Sequence, residues 1–392
     1  MRAVTRWFEQ AVDLNDFAGG DGYLFVRDGV GIAGRGVAAR VEADEAVALL
    51  ATIECDDEVG VAGSGPVAIG VLPFVPRSPA QLVVPQVTIG KSADGRCWVT
   101  HIDDAPLPPS AAPPKPAAAE FTVRPGVPVA TYLAAVAAAR DAVRAGTIDK
   151  AVIARDLVVT SPEPIDIHAV MQRLRASFGS SYRYAVDGFV GASPELLVAL
   201  EGTIVTSHPL AGTTPRTGDP TTDARLAREL LESAKNQIEH RVVVNVVHDT
   251  LLPWASYLDW EPEPSIVAVA NVQHLGTRME GQLSQPAPDV LTLARALSPT
   301  PALGGHPQMP AIDLIERVEG FNRGRYGGAV GWVDRSGNGT WAVAIRCAEF
   351  SSDRRTARLF AGGGIVAESD LHHELAETQA KFQAMLSAII RA

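Results

Sequence analysis

Residues 326–365 read YGGAVGWVDRSGNGTWAVAIRCAEFSSDRRTARLFAGGGI. Two β-branched runs flank Ser336-Gly337-Asn338-Gly339, and a third follows the polar tract 351–355. Gly and Asn accept the left-handed backbone that tight hairpins need, so the segment predicts an antiparallel meander. Working outward, strand-like runs occupy 23–26, 67–75, 82–89 and 151–160, and 182–207 reads as two or three strands turning at Glu201-Gly202. Helical patterns lie between them. An Ala-rich stretch at 131–146 stops at Gly146, and 223–252 is bounded by Pro220 and Pro253. A closing helix at 371–390 has Ser369 or Asp370 as its N-cap. Strands without regular strand–helix–strand alternation predict an α+β fold with antiparallel sheets, not a doubly wound one.

The 392 residues suffice for one large domain or for two to three average ones. The tract PLPPSAAPPKPAA at 105–117 can form neither a continuous helix nor a central strand. It separates a motif-poor part, 1–104, from the more legible 118–392. Lys and Arg number 34 against 45 Asp and Glu, a net charge of −11. Such a chain has no cation excess with which to displace counterions, so no nucleic-acid partner is expected, and anionic membranes repel it. The opening MRAVTRWFEQAVDLNDF lacks an apolar core, and no uncharged apolar run reaches about 18 residues, so neither a secretory signal nor a membrane span is expected. Cys55, Cys97 and Cys347 are an odd, widely spaced set that suits neither disulfides nor zinc. These features together predict a cytoplasmic protein.

Several side chains could carry chemistry. Along 223–252, Leu226, Leu230, Ala234, Ile238, Val242 and Val246 recur at about four-residue spacing as an apolar stripe. Glu232, Lys235 and Glu239 share a face at its edge. Glu374, Glu377 and Lys381 likewise share one face of the closing helix. Carboxylates from two helices, without a His/Cys cluster, suit a hard cation such as Mg²⁺; a solvated face explains them as well. In WAVAIRCAEF (341–350), Arg346 alternates with Ala342, Ala344 and Ala348, which leaves room for bidentate capture of a carboxylate or for an ordinary ion pair. Gly362, Gly363 and Gly364 could expose amides to an anion, or form a bulge. Lys150 and Glu195 border apolar strands and are a candidate base and acid. Keeping a lysine neutral near pH 7.5 costs about 4 kcal/mol from its ordinary value of roughly 10.4, so its surroundings must supply much of that. His208 and His274 read singly as hydrogen-bonded core histidines.

Taken in order, ten segments resemble the chorismate-utilising enzymes, isochorismate synthases in particular. They are IDKAVIAR (148–155), ASPELL (192–197), SHPLAGT (207–213), KNQIEHRVV (235–243) and VQHLGTRMEG (272–281), then SPTPALGGHP (298–307), YGGAVGWVD (326–334), AIRCAEF (344–350), FAGGGIV (360–366) and ELAETQAK (374–381). The resemblance implies two packed antiparallel sheets with helices outside, in a single domain spanning 1–392 with the Pro/Ala tract as a crossing and 118–392 as catalytic core. It implies Mg²⁺-dependent isomerisation of chorismate, with Lys150 activating water for attack at C2 and Glu195 protonating the departing C4 hydroxyl. Glu239 and Glu377 match metal ligands, with Glu374 a helper through water. His274, Arg346, Gly362, Gly364 and Lys381 match positions that hold substrate carboxylates or complete the metal site, and Thr213 and Tyr326 match further substrate contacts. Lysine at 150 goes with water as nucleophile, and Ala302 stands where salicylate synthases tend to have threonine. Both favour release of isochorismate over its conversion to salicylate. Ser298, Asn236 and Ile238 depart from the family pattern. The alternatives are a salicylate synthase and a catalytically silent binding protein of the same fold. The resemblance further implies a monomer and a product used for menaquinone or siderophore synthesis.

Overall fold

The computed structural model describes residues 1–76, 78–114, 120–270 and 272–391. Of the Pro/Ala tract, 115–117 lie outside the described residues, as do 118 and 392 at the ends of the expected core. Two large sheets, of 13 and 9 strands, and a small one of three form the frame, with helices outside. The architecture is the expected α+β one. Pairing is antiparallel throughout the large sheets except between Arg2–Phe8 and Glu54–Asp57, which run parallel.

Both large sheets mix strands from before and after the Pro/Ala tract. In the larger, Tyr23–Arg27 pairs with Tyr182–Val186; in the smaller, Val67–Leu72 pairs with Ala329–Asp334. Phe25, Ile32 and Tyr184 of the larger sheet join Ile69, Leu82 and Val198 of the smaller in one apolar core. The opposite face of the larger sheet is covered by helices Leu14–Ala18, Ile167–Phe178 and Leu371–Ile390, through residues such as Phe17, Leu174 and Phe382. Helices Val129–Arg144 and Gln308–Val318 clamp the strand Lys150–Thr160 with Val136, Ile312 and Ile315. Gly146 ends the first of these in a left-handed conformation (φ +69°), as read from the sequence. Asp370 caps Leu371–Ile390, accepting from the amides of His372 and His373.

Three expected strand runs, one of them (182–207) read as two or three strands, turn out to cross from one sheet to the other. The run 82–89 breaks at Pro85, which has no N–H to donate: Gln81–Val84 belongs to the smaller sheet and Val87–Lys91 to the larger. The run 182–207 holds four strands, Tyr182–Val186 and Phe189–Ser193 in the larger sheet, then Leu196–Glu201 and Ile204–His208 in the smaller. The run 341–350 ends as Gly339–Val343 in the smaller sheet and resumes as Cys347–Phe350 in the larger. Glu195 and Arg346 sit at the last two crossings. Their backbones are bonded reciprocally, Val343 N–H to Glu195 O at 3.1 Å and Ala192 N–H to Arg346 O at 3.1 Å.

The expected helix 223–252 is two helices, Pro220–Glu232 and Ala234–Leu251, parted at Ser233. The Ser233 side chain accepts from Asn236 N–H and caps the second helix. The buried face is consequently His240, Val243, Val244, Val247 and Leu251, whereas Ile238 is 66% exposed. Glu232 stays exposed on the first helix, apart from Lys235 and Glu239 on the second. Among the described residues no helix is long and apolar enough to cross a membrane.

Candidate active site

The two crossings, the start of Lys150–Thr160, the end of strand Thr356–Ile365 and the first turns of helices Ala234–Leu251 and Leu371–Ile390 enclose a cavity of about 190 Å³. Every site residue expected from the sequence lines it: Lys150, Glu195, Thr213, Glu239, His274, Ala302, Tyr326, Arg346, Gly362, Gly364, Glu374, Glu377 and Lys381.

Lys150 opens its strand, is buried, and donates from Nζ to Glu239 Oε1 at 2.6 Å. Glu195 lies between strands of different sheets, only 3% exposed, and accepts from Leu210 N–H at 3.3 Å through Oε1. Burial pushes its carboxyl up to about 8, although the Leu210 amide, Lys150 and Arg346 all pull the other way. At pH 7 such a group is roughly nine-tenths protonated, the state a general acid requires.

Arg346 adopts a left-handed backbone (φ +53°) at its crossing. Among the described residues it pairs with no acid; its side chain donates from Nη2 to His274 Nε2 at 3.2 Å. The buried His274 is held neutral, its pKa driven down to about 3 by burial and by the Arg346 and Lys381 charges. Its Nδ1 lies 3.1 Å from the Gly212 carbonyl, which can only accept, so the proton is assigned to Nδ1 and Nε2 receives Arg346. Thr213 Oγ1 lies 3.1 Å from the same Nδ1. His208, by contrast, is half-buried and lies off the cavity. Tyr326 stacks on Phe360 with centroids 5.2 Å apart, and Ala302 and Leu303 line the same cavity.

The glycine run is not a bulge: Gly362, Gly363 and Gly364 stand opposite Ala154, Ile153 and Val152 in a regular ladder. The strand on its other side pairs only as far as Leu359, so the backbone groups of Gly362 that face away from Ala154 are turned to that open edge. These residues also supply space. A Cβ on Gly363 would lie 2.9 Å from Glu374 Oε2, and one on Gly364 would lie 2.8 Å from Glu239 Oε1 and 2.9 Å from Lys150 Cε. The Gly362 carbonyl accepts from Lys381 Nζ at 2.8 Å.

Three carboxylates, Glu239, Glu374 and Glu377, therefore gather over one glycine-lined strip. Glu239 pairs with Lys150, Glu377 with Lys381 at 2.6 Å, and Glu374 accepts from Ser369 Oγ at 2.9 Å. Among the described residues no three such groups converge in a metal-binding arrangement. The donor chemistry nevertheless fits a hard divalent cation, being all oxygen. Burial and the neighbouring Glu377 charge raise the Glu374 carboxyl, leaving it with a demand for positive charge that Ser369 does not meet. Burial acts on Glu377 in the same sense, but Lys381, by charge and hydrogen bond, outweighs it and holds that carboxyl low.

The cavity also takes in residues that sequence reasoning passed over, Leu303, Phe360 and His373. His373 could have been found from its place in the first turn beside Glu374. Lys235 does reach the cavity, as its shared face with Glu239 suggested, and Asn236 lines it while bonding Ser233 Oγ at 2.9 Å. Ser298 is buried away from the cavity and Ile238 points outward.

A family model described as chorismate binding enzyme matches residues 99–390. MenF of Mycobacterium tuberculosis (strain ATCC 25618 / H37Rv) is 41% identical over 340 residues, spanning 83% of this chain and 87% of that protein. Isochorismate synthase DhbC of Bacillus subtilis is 38% identical over 337 residues, 83% of this chain and 81% of that one. The crystal structure of DhbC from Bacillus anthracis superposes with a TM-score of 0.81 at 33% identity, covering 96% of this chain and 98% of that one. With a family match over most of its length and relatives at this identity over four-fifths of theirs, the chain belongs to the chorismate-binding enzyme family, on its isochorismate synthase branch.

Proposed function

We propose that this protein isomerises chorismate to isochorismate with Lys150 as base and Glu195 as acid. The observation that carries the proposal is one cavity holding a fully buried carboxyl, raised to about 8 by that burial, a buried lysine, and an arginine that among the described residues has no acid partner. Lys150 Nζ takes a proton from the water whose oxygen bonds to C2. Both conjugated ring double bonds shift, C1=C2 to C1=C6 and C5=C6 to C4=C5, the C4–O bond breaks, and the hydroxyl leaves as water with the Glu195 proton. To accept that proton Lys150 must be present as the neutral amine, which can still donate to Glu239. Arg346 receives one substrate carboxylate in bidentate fashion, its fork aimed by neutral His274. With Lys150 neutral as the base and Glu195 protonated, Lys235, Arg346 and Lys381 only balance Glu239, Glu374 and Glu377, leaving no positive charge over for a dianionic substrate. That shortfall supports a divalent cation. Mg²⁺, held through Glu239, Glu374 and Glu377, would supply positive charge at the second carboxylate.

The reading assigns the product to menaquinone or siderophore synthesis and the protein to the cytoplasm as a monomer. The test is incubation with chorismate, with and without Mg²⁺, and identification of products by chromatography and mass. An isomer of unchanged mass supports the proposal. Salicylate with pyruvate would replace it by the salicylate synthase reading, and no Mg²⁺-dependent turnover at high enzyme concentration would refute it.

A further inference from the structure

Behind the cavity lies a buried ion pair that takes no part in the chemistry above. Glu319, at the end of helix Gln308–Val318, is 1% exposed and Arg323 is 3% exposed. Arg323 Nε donates to Glu319 Oε2 at 2.8 Å, and its Nη2 meets the other carboxylate oxygen. A pair so deeply buried is costly to desolvate, so its further bonds are what give it a use.

Strand Lys150–Thr160 is bonded along one edge by Thr356–Ile365. On its other edge, Gly305–His306 pairs with Lys150 and Ala151, and Thr122–Pro125 pairs with Leu157 to Thr160. Between these two short strands no strand among the described residues covers the edge. The Ala154 N–H donates to Glu319 Oε1 at 2.7 Å, and Arg323 Nη2 donates to Val152 O at 2.6 Å. Two side chains thus stand in for the missing strand.

Arg323 also reaches the cavity walls. Its Nη1 donates to Leu303 O at 2.9 Å, and the chain runs from Leu303 into the strand that pairs with Lys150. Arg323 O accepts from Tyr326 N–H at 3.0 Å. One residue is thereby bonded to the Lys150 strand, to the Ala302–Leu303 wall and to Tyr326, all three of which border the cavity.

We propose that Glu319 and Arg323 are positioning residues for the reaction, fixing Lys150 relative to the Ala302–Leu303 wall. The inference rests on the isochorismate synthase reading. Lysine at 323 keeps the charge but lacks the planar fork and cannot serve Glu319, Val152 O and Leu303 O together. A displacement of about 1 Å in a reacting group can cost about a hundredfold in rate.

The test uses the full chain, as wild type, Arg323→Lys and Glu319→Gln. Chorismate kinetics are measured well below each melting temperature, with circular dichroism as the folding check and substrate-free crystal structures of wild type and Arg323→Lys. Expected are a kcat lowered roughly 10- to 100-fold, a KM within about threefold of wild type, and displaced residues 302–306. Wild-type kcat per folded molecule with only a lowered melting temperature overturns the inference, because it makes the pair merely structural. Failure of both variants to fold overturns it on the same ground. An inactive wild type defeats the functional reading instead. The crystal structures then decide alone, and an unmoved 302–306 segment and Lys150 overturn the positioning role.

Discussion

Replacing Glu195 by Gln separates two quantities that one buried carboxyl joins. The side chain is 3% exposed and its pKa is raised from 4.5 to about 8, chiefly by burial. The folded protein therefore binds this proton more tightly than the unfolded chain. Between about pH 4.5 and 8 the unfolded state releases it first, so stability falls as pH rises through that window and levels off above it. At about 1.4 kcal/mol per pKa unit the full loss is at most about 5 kcal/mol, with water entry reducing it. Glutamine resembles the protonated form and does not titrate. The variant should match wild type near pH 5 and be more stable by several kcal/mol near pH 9. Its kcat should drop by about 10²- to 10⁴-fold, the usual worth of a positioned acid. The assay is urea denaturation of both proteins at pH 5, 7 and 9, with chorismate turnover measured on the same samples. A stability difference that stays constant from pH 5 to 9 would refute the raised pKa, and with it the physical basis for assigning the acid to Glu195.

Lys150→Gln should abolish turnover without unfolding the protein, since the amide can still donate to Glu239; wild-type-like product formation would show that the base lies elsewhere. Arg346→Lys should raise KM for chorismate by roughly 10- to 100-fold through loss of the bidentate, charge-assisted bonds, and steady-state kinetics showing an unchanged KM would count against carboxylate capture. Gly364→Ala should lower the apparent Mg²⁺ affinity and the activity together, because its Cβ would meet Glu239 Oε1 at 2.8 Å and Lys150 Cε at 2.9 Å; a Mg²⁺ titration identical to wild type would contradict that. Chelation with EDTA should stop turnover and Mg²⁺ should restore it, followed by product chromatography.

The residue types at the site are legible in the sequence, while the geometry that makes them a site is not. Arg346 stands out among alanines, yet alternation along 341–350 puts it on the face of a continuous strand. The chain instead leaves the smaller sheet at Val343 and enters the larger at Cys347, and the left-handed turn at Arg346 aims the guanidinium. Both sheets alternate apolar residues with the same period of two, so the pattern runs through a crossing without a break. Glu195 reads as an acid interrupting one strand when it joins two, although Pro194 before it marks the break. Pro85 and Pro194 thus stand at the first two crossings; the third, at 344–346, has no such signal. Ser233 shows the opposite case. It is visible as a good N-cap, but the apolar spacing on either side carries a helix across it, and only the packing of His240, Val243 and Val247 fixes the phase that sets Glu239 toward Lys150. The net charge of −11 is silent about a small dianion for a related reason. On the proposed reading, binding depends on the local balance at crossings where, among the described residues, Arg346 forms no ion pair and burial raises Glu195, and composition averages over both.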